Sequence, residues 1–148
     1  MKATDFADWD ATDLVRAIQG REVSCREVMT AFLDRIERIN PVVNAIVSLR
    51  DRDDVLAEAV SADEELAAGR RRGVLHGLPQ AIKDLAVCKG FPTTLGSLIY
   101  ANALAAADGM MAERMRAAGA IFVGKTNVPE FGLGSNTYNP VNGPTQNA

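Results

Sequence analysis

The sequence predicts an α/β fold, with N-terminal helices followed by the start of a mixed, largely parallel sheet flanked by helices. Three observations predict it. Apolar residues recur at helical spacing through the first half, then give way after residue 72 to short apolar runs bounded by Gly and Pro. Two such runs, within 79–87 and 120–124, lie on either side of an amphipathic stretch, and strand, helix, strand in succession implies parallel pairing through a crossover. The 148 residues are 47% hydrophobic, enough to form one core without staples. The expected organisation is one domain: helical over 1–72, α/β over 73–131, and a loop over 132–148 that leads onward.

Each element has a local cause. Thr12 is placed to cap a short helix through Gln19, which Gly20 closes. Ser24 and Glu27 form an S-x-x-E capping box, with Val23 and Val28 spaced for a hydrophobic staple. The helix that follows carries Val28, Met29, Phe32, Leu33, Ile36 and Ile39 on one face. It should end at Asn40-Pro41, because the residue before proline avoids the helical region. A third helix, over 52–68, gathers Val55, Leu56, Ala59 and Val60 and stops at Gly69. These faces are core rather than cofactor surface, since apolar periodicity has no chemistry of its own.

Further on, 79–87 favours one strand or two short ones, with Gly90 and Pro92 marking a turn. Asp108 is the expected cap of a helix over 109–118, with Met111, Met115 and Ala118 inward. "AIFVG", Ala120 to Gly124, then reads as a short buried strand. From Gly132 the composition is Gly, Asn, Ser and Pro. So long a stretch without regular structure is either functional or leads into further structure.

Composition excludes several functions. With 16 Lys and Arg against 19 Asp and Glu, the net charge of −3 argues against a nucleic-acid partner, and Arg70-Arg71-Arg72 reads as a solvated loop. Cys25 and Cys88 make neither a metal spacing nor a disulfide framework, and His76 as the single histidine rules out a His-based triad within this chain. No stretch has signal-peptide or membrane-spanning character, so a cytoplasmic protein without a membrane partner is the simplest expectation. A homo-oligomer is left open. Gly119 to Thr126, "GAIFVGKT", satisfies the phosphate-loop pattern literally, but its middle residues favour a strand and no long helix follows. Nucleotide binding is therefore not expected.

One residue stands out. Lys83 follows Ala81 and Ile82 in an apolar run, where an ammonium either snorkels to water or is being desolvated for use. Two segments carry a resemblance here: "GLPQAIKDLAVCKGFPTTLGS", Gly77 to Ser97, and "MRAAGAIFVGKTNVPEFGLGSNTYNPVNGPTQN", Met115 to Asn147. In order and spacing they resemble the N-terminal part of the amidase signature hydrolases. The GLGS-TYNP loop is closer to broad amidases than to the subunits of tRNA-dependent amidotransferases.

The resemblance implies an incomplete amidase signature fold, a small-molecule amide substrate, and hydrolysis to acid plus ammonia or amine by a lysine, a cis-peptide serine and a nucleophilic serine. Lys83 stands where the family's lysine does, while Gly134, Ser135 and Asn136 correspond to the loop beside the acyl pocket. Neither Ser97 nor Ser135 occupies a catalytic serine position, so this chain would carry only the lysine and be inactive alone. Asp84, Thr93, Thr94 and Lys125 are expected to be structural. No cofactor or metal is implied. The alternatives are an A-subunit-type glutamine amidotransferase for misacylated tRNA, or a truncated, non-catalytic binding module. A free lysine has a pKa near about 10.4, so a base at this position needs a downward shift of roughly three units. The apolar strand is expected to supply that desolvation.

Overall fold

A computed structural model describes residues 6–147. Its elements run α1 (Ala11–Gln19), α2 (Cys25–Val43), α3 (Arg52–Ala67), β1 (Pro79–Lys83), α4 (Met110–Ala117) and β2 (Ile121–Thr126), with short 3₁₀ turns at Phe6–Asp8, Leu98–Tyr100 and Glu130–Gly132. The expected strand, helix, strand order is present, and β1 and β2 pair in parallel as a two-stranded sheet. Among the described residues no helix is long and apolar enough to cross a membrane. The chain divides into two compact units. One comprises the residues up to Glu37, Arg50–Gln80 and Met115–Val123; the other comprises Arg38–Leu49, Ala81–Arg114 and the residues from Gly124 on.

In the first unit the helices are fixed by their N-termini. The predicted capping box closes α2: Ser24 N–H donates to Glu27 Oε2 at 2.9 Å and Glu27 N–H to Ser24 Oγ at 3.0 Å. The bonds from Ser24 favour the carboxylate, holding the Glu27 pKa below its ordinary range. A second cap is long-range. Asp63 of α3 accepts from Cys25 N–H at 2.7 Å and Arg26 N–H at 3.1 Å, so α3 satisfies the orphan donors of α2. Asp51 caps α3 through the amides of Asp53 and Asp54. Gly69, with φ of 73°, takes the left-handed position beyond the end of α3.

His76 latches this unit rather than doing chemistry. Its Nδ1 accepts from Arg72 N–H, which leaves Nε2–H to donate to Ala62 O at 2.9 Å. The adjacent Gly77 has φ of 76°, and a Cβ there would overlap Cys25 Sγ. That close approach requires glycine.

The second unit is built around the far ends of both strands. Residues 45–48 run antiparallel beside β2, through Val47 N–H to Lys125 O, Lys125 N–H to Ser48 O, and the bridge Ile46 to Thr126. β2 is therefore paired on both edges, and Ile121 to Lys125 are all buried. The pairing is mixed, as predicted. Gly124 permits it, since a Cβ would lie 2.7 Å from Ile46 Cγ2 and 2.8 Å from Ser48 O.

Several boundaries differ from the sequence expectation. The first helix begins at Ala11 with Asp10 as its N-cap, not at Thr12, and no side chain closes that cap. α2 continues past Asn40-Pro41 to Val43. Pro41 forfeits one backbone bond in the last turn, and the chain leaves the helix at Asn44, whose φ is 52°. Val60, 36% exposed, is not on the inner face of α3; Ala62 is. α4 buries Ala112, while Met111 is 51% exposed, a one-residue change in the facing position. β2 extends two residues beyond Gly124, because pairing on both sides continues through Thr126.

Burial first, and then the Asp63 carboxylate, push the Cys25 thiol from 9.0 up to about 12. Between these values the folded chain keeps a proton that the unfolded chain releases. The contribution is thus fully present below pH 9.0 and is lost as pH rises toward about 12. Urea titrations above pH 9.0 should show falling stability, and Cys25→Ala should flatten part of that slope. An unchanged slope in the variant would show that the thiol does not contribute.

Candidate functional site

Strand alternation decides which side chain at the end of β1 goes in. Ile82 is buried, Lys83 is exposed and Asp84 is buried again, the period of two expected of a strand. The expectation that this strand desolvates Lys83 is therefore not met within the chain. The side chain leaves the sheet on the solvent side, and its ammonium has no hydrogen bond or ion pair among the described residues.

The dry ammonium is Lys125. Its side chain is 0% exposed and its Nζ lies 2.8 Å from Asp84 Oδ1. It also donates to Ala86 O at 2.9 Å, Pro92 O at 2.8 Å and Thr93 Oγ1 at 3.0 Å. Asp84 in turn accepts from Thr94 N–H, at 3.2 Å to each oxygen, and from the Thr94 hydroxyl. Thr94 Oγ1 itself accepts from Gly96 N–H at 3.0 Å. Every partner of this buried pair is a group within the second unit, and together they tie the turn after Lys83 into a closed ring. The lysine of "GKT" thus has its donors committed within a buried strand, an arrangement with no loop to cradle a phosphate.

A second ring of contacts joins this turn to the segment 129–140. Leu85 lies against Gly132, where a Cβ would be 2.8 Å from Leu85 Cδ1. Phe131 N–H donates to Leu95 O at 2.7 Å, and both residues hold positive φ, 55° and 52°. Non-glycine residues in that region are strained, and such strain concentrates at functional segments. The rings of Tyr100 and Phe131 meet edge to face at 6.3 Å.

Beside them lies a cleft of about 450 Å³, lined by residues that include Phe131, Leu133 and Tyr138. Gly134, Ser135 and Asn136 line it together, and all three are exposed. Lys83 is not among the lining residues. Ser97, by contrast, is 1% exposed. Among the described residues no His, Cys, Asp or Glu cluster with metal-ligand geometry occurs.

The cleft is held from behind by an amide pair that the sequence does not reveal. Asn139 Nδ2 donates to Asn127 Oδ1 at 2.7 Å and to Val128 O at 2.8 Å, and its Oδ1 accepts from Val141 and Asn142 N–H. Asn127 Nδ2 reaches Gly143 O and Thr145 Oγ1. Asn44 Nδ2 adds bonds to Asn142 O and Pro144 O. The only signal in the sequence is asparagine abundance, which reads as loop composition.

Replacing one member of the buried ion pair should be costly. Lys125→Met leaves Asp84 buried with Thr94 alone, and a loss of about 3–5 kcal/mol is expected from urea denaturation. A loss below about 1 kcal/mol, the scale of an exposed pair, would refute the structural importance of the contact.

A family model described as Amidase matches residues 27–148. A glutamyl-tRNA(Gln) amidotransferase subunit from Acidothermus cellulolyticus is 43% identical over 144 residues, covering 97% of this chain and 28% of that protein. An acylamidase from Rhodococcus erythropolis is 38% identical over 137 residues, covering 93% of this chain and 28% of its own length. The native peptide amidase from Stenotrophomonas maltophilia superposes with a TM-score of 0.83 at 32% identity, covering 96% of this chain and 30% of that one. The chain therefore spans about 28% of the length of these curated relatives. Overall identity does not favour the broad amidases over the amidotransferases in the way the loop sequence suggests. Sequence match over most of its length and a shared fold lead to one conclusion: the chain belongs to the amidase signature family.

Proposed function

We propose that this chain is the lysine-bearing portion of an amidase, and that a polypeptide containing it hydrolyses carboxylic acid amides to the acid plus ammonia or an amine. The observation that carries the reading is the contrast between two lysines at the ends of adjacent strands. Lys125 has its donors committed in the interior, whereas Lys83 projects outward with no acceptor among the described residues. An amine with no partner among the described residues can accept a proton once a covering apolar surface desolvates it.

The chemistry requires more than this chain carries. Neutral Lys83 takes the proton of a bridging serine, which deprotonates a second serine as it attacks the amide carbonyl carbon. Backbone N–H groups hold the resulting oxyanion, the C–N bond breaks, and the amine leaves with a proton. Water then hydrolyses the acyl ester and regenerates the serine. Both serines lie outside the 148 residues in this reading, and so does the apolar surface that desolvates Lys83. Gly134, Ser135 and Asn136 contact the acyl part of the substrate from the cleft they line.

The 43% identity to a glutamyl-tRNA(Gln) amidotransferase chain supports a second reading, in which the same amide chemistry serves glutamine-dependent amidation on tRNA. Hydrolysis of a simple amide by the longer polypeptide on its own favours the first; activity only with partner proteins and misacylated tRNA favours the second.

The present chain should not react with a serine-directed fluorophosphonate. In the longer polypeptide Lys83→Ala should keep the melting temperature and lower kcat by about 10²–10⁴-fold, the range of a lost general base. Near-normal turnover in that variant would remove Lys83 from the mechanism.

A further inference from the structure

We propose that Asp84 and Lys125 form a positioning pair for Lys83, fixing the direction and depth at which its side chain leaves the sheet. The inference rests on the proposed role of Lys83 as base, and concerns residues that the catalytic scheme itself does not use.

Among the described residues, Lys83 has no partner at its tip to orient it. Its placement is inherited from the backbone, and there the constraint is strong. Asp84 N–H donates to Thr126 O at 3.1 Å, and Lys83 O accepts from Ala86 N–H at 2.9 Å. The Asp84 carboxylate is then pinned by Lys125 and Thr94. Because consecutive strand side chains point to opposite faces, an inward Asp84 forces Lys83 outward, and a one-residue slip would reverse both.

Lys125 secures the other end of the same turn. Its bonds to Ala86 O, Pro92 O and Thr93 Oγ1 hold the backbone on both sides of 86–93 around a single ammonium. A buried ion pair is an inefficient source of stability, since apolar residues of similar size often replace it without loss; its better-attested use is to fix register. The pair also sits at the carboxyl ends of two parallel strands, where α/β sheets place their ligand crevices. A device that sets geometry is what this location calls for.

The test uses the double variant Asp84→Asn/Lys125→Met, which removes both charges while keeping similar shapes. In the 148-residue chain, backbone ¹⁵N order parameters for residues 83–86 should fall from about 0.85 to below about 0.6 while thermal unfolding stays cooperative. In the longer hydrolase, kcat should drop about a hundredfold at unchanged KM, as expected for a base displaced by roughly an ångström, and the acidic limb of the pH profile, which reports the base, should move. A folded double variant with rigid residues 83–86 and near-normal kcat overturns the proposal.

If Lys83→Ala itself retains activity, the reading of Lys83 as base falls. The order parameters then decide the positioning role alone, loosening supporting it and rigidity refuting it. Should the double variant not fold, Thr94→Val removes the hydroxyl bond to Asp84 and keeps both charges. Increased mobility at 83–86 in that variant supports the proposal, and unchanged order refutes it.

Discussion

The buried contact between Asp84 and Lys125 is the constraint on which the second unit depends. An ammonium with no access to water must find oxygen on every side, and a carboxylate in the same position must find donors. The chain meets both demands with five groups drawn from one turn: the carbonyls of Ala86 and Pro92, the Thr93 hydroxyl, and the amide and hydroxyl of Thr94. Without that ring the interior would hold bare charge. With it, residues 84–94 have one arrangement, although they form neither helix nor strand.

The fold class is legible in the sequence because its signals are local. Capping at Ser24 and Glu27, the glycine beyond α3 and the apolar run of β2 each depend on residues near in sequence. The details that escape depend on distant partners. Pro41 reads as a stop, but the exit lies at Asn44, whose side-chain amide donates to Asn142 O and Pro144 O far along the chain. Glycine punctuates strands, so Gly124 reads as the end of β2. Here it is retained within the strand, to admit Ile46 and Ser48 at close range.

The site is only half legible, for the same reason. Both Lys83 and Lys125 follow apolar residues, and the residue order alone points to a dry environment for the first. The difference is strand position. Both faces of β2 are covered, so each residue from Ile121 to Lys125 is buried, whereas Lys83, the last residue of β1, is exposed. Adjacency in the sheet is not written in the order of residues. Nor is the bond between Asn127 and Asn139, which gives a segment of loop composition an internal hydrogen-bonded scaffold.

The two units also differ in how they use charge. In the first, Arg35 with Asp8 and Arg52 with Asp34 and Glu37 meet at the surface. In the second, the side chains of Lys125 and Asp84 are 0% and 1% exposed. Mobile ions screen the former and have little access to the latter. Ionic strength therefore acts as a selective solvent variable: brine loosens the arginine contacts of the helical half and leaves the geometry beneath Lys83 nearly untouched.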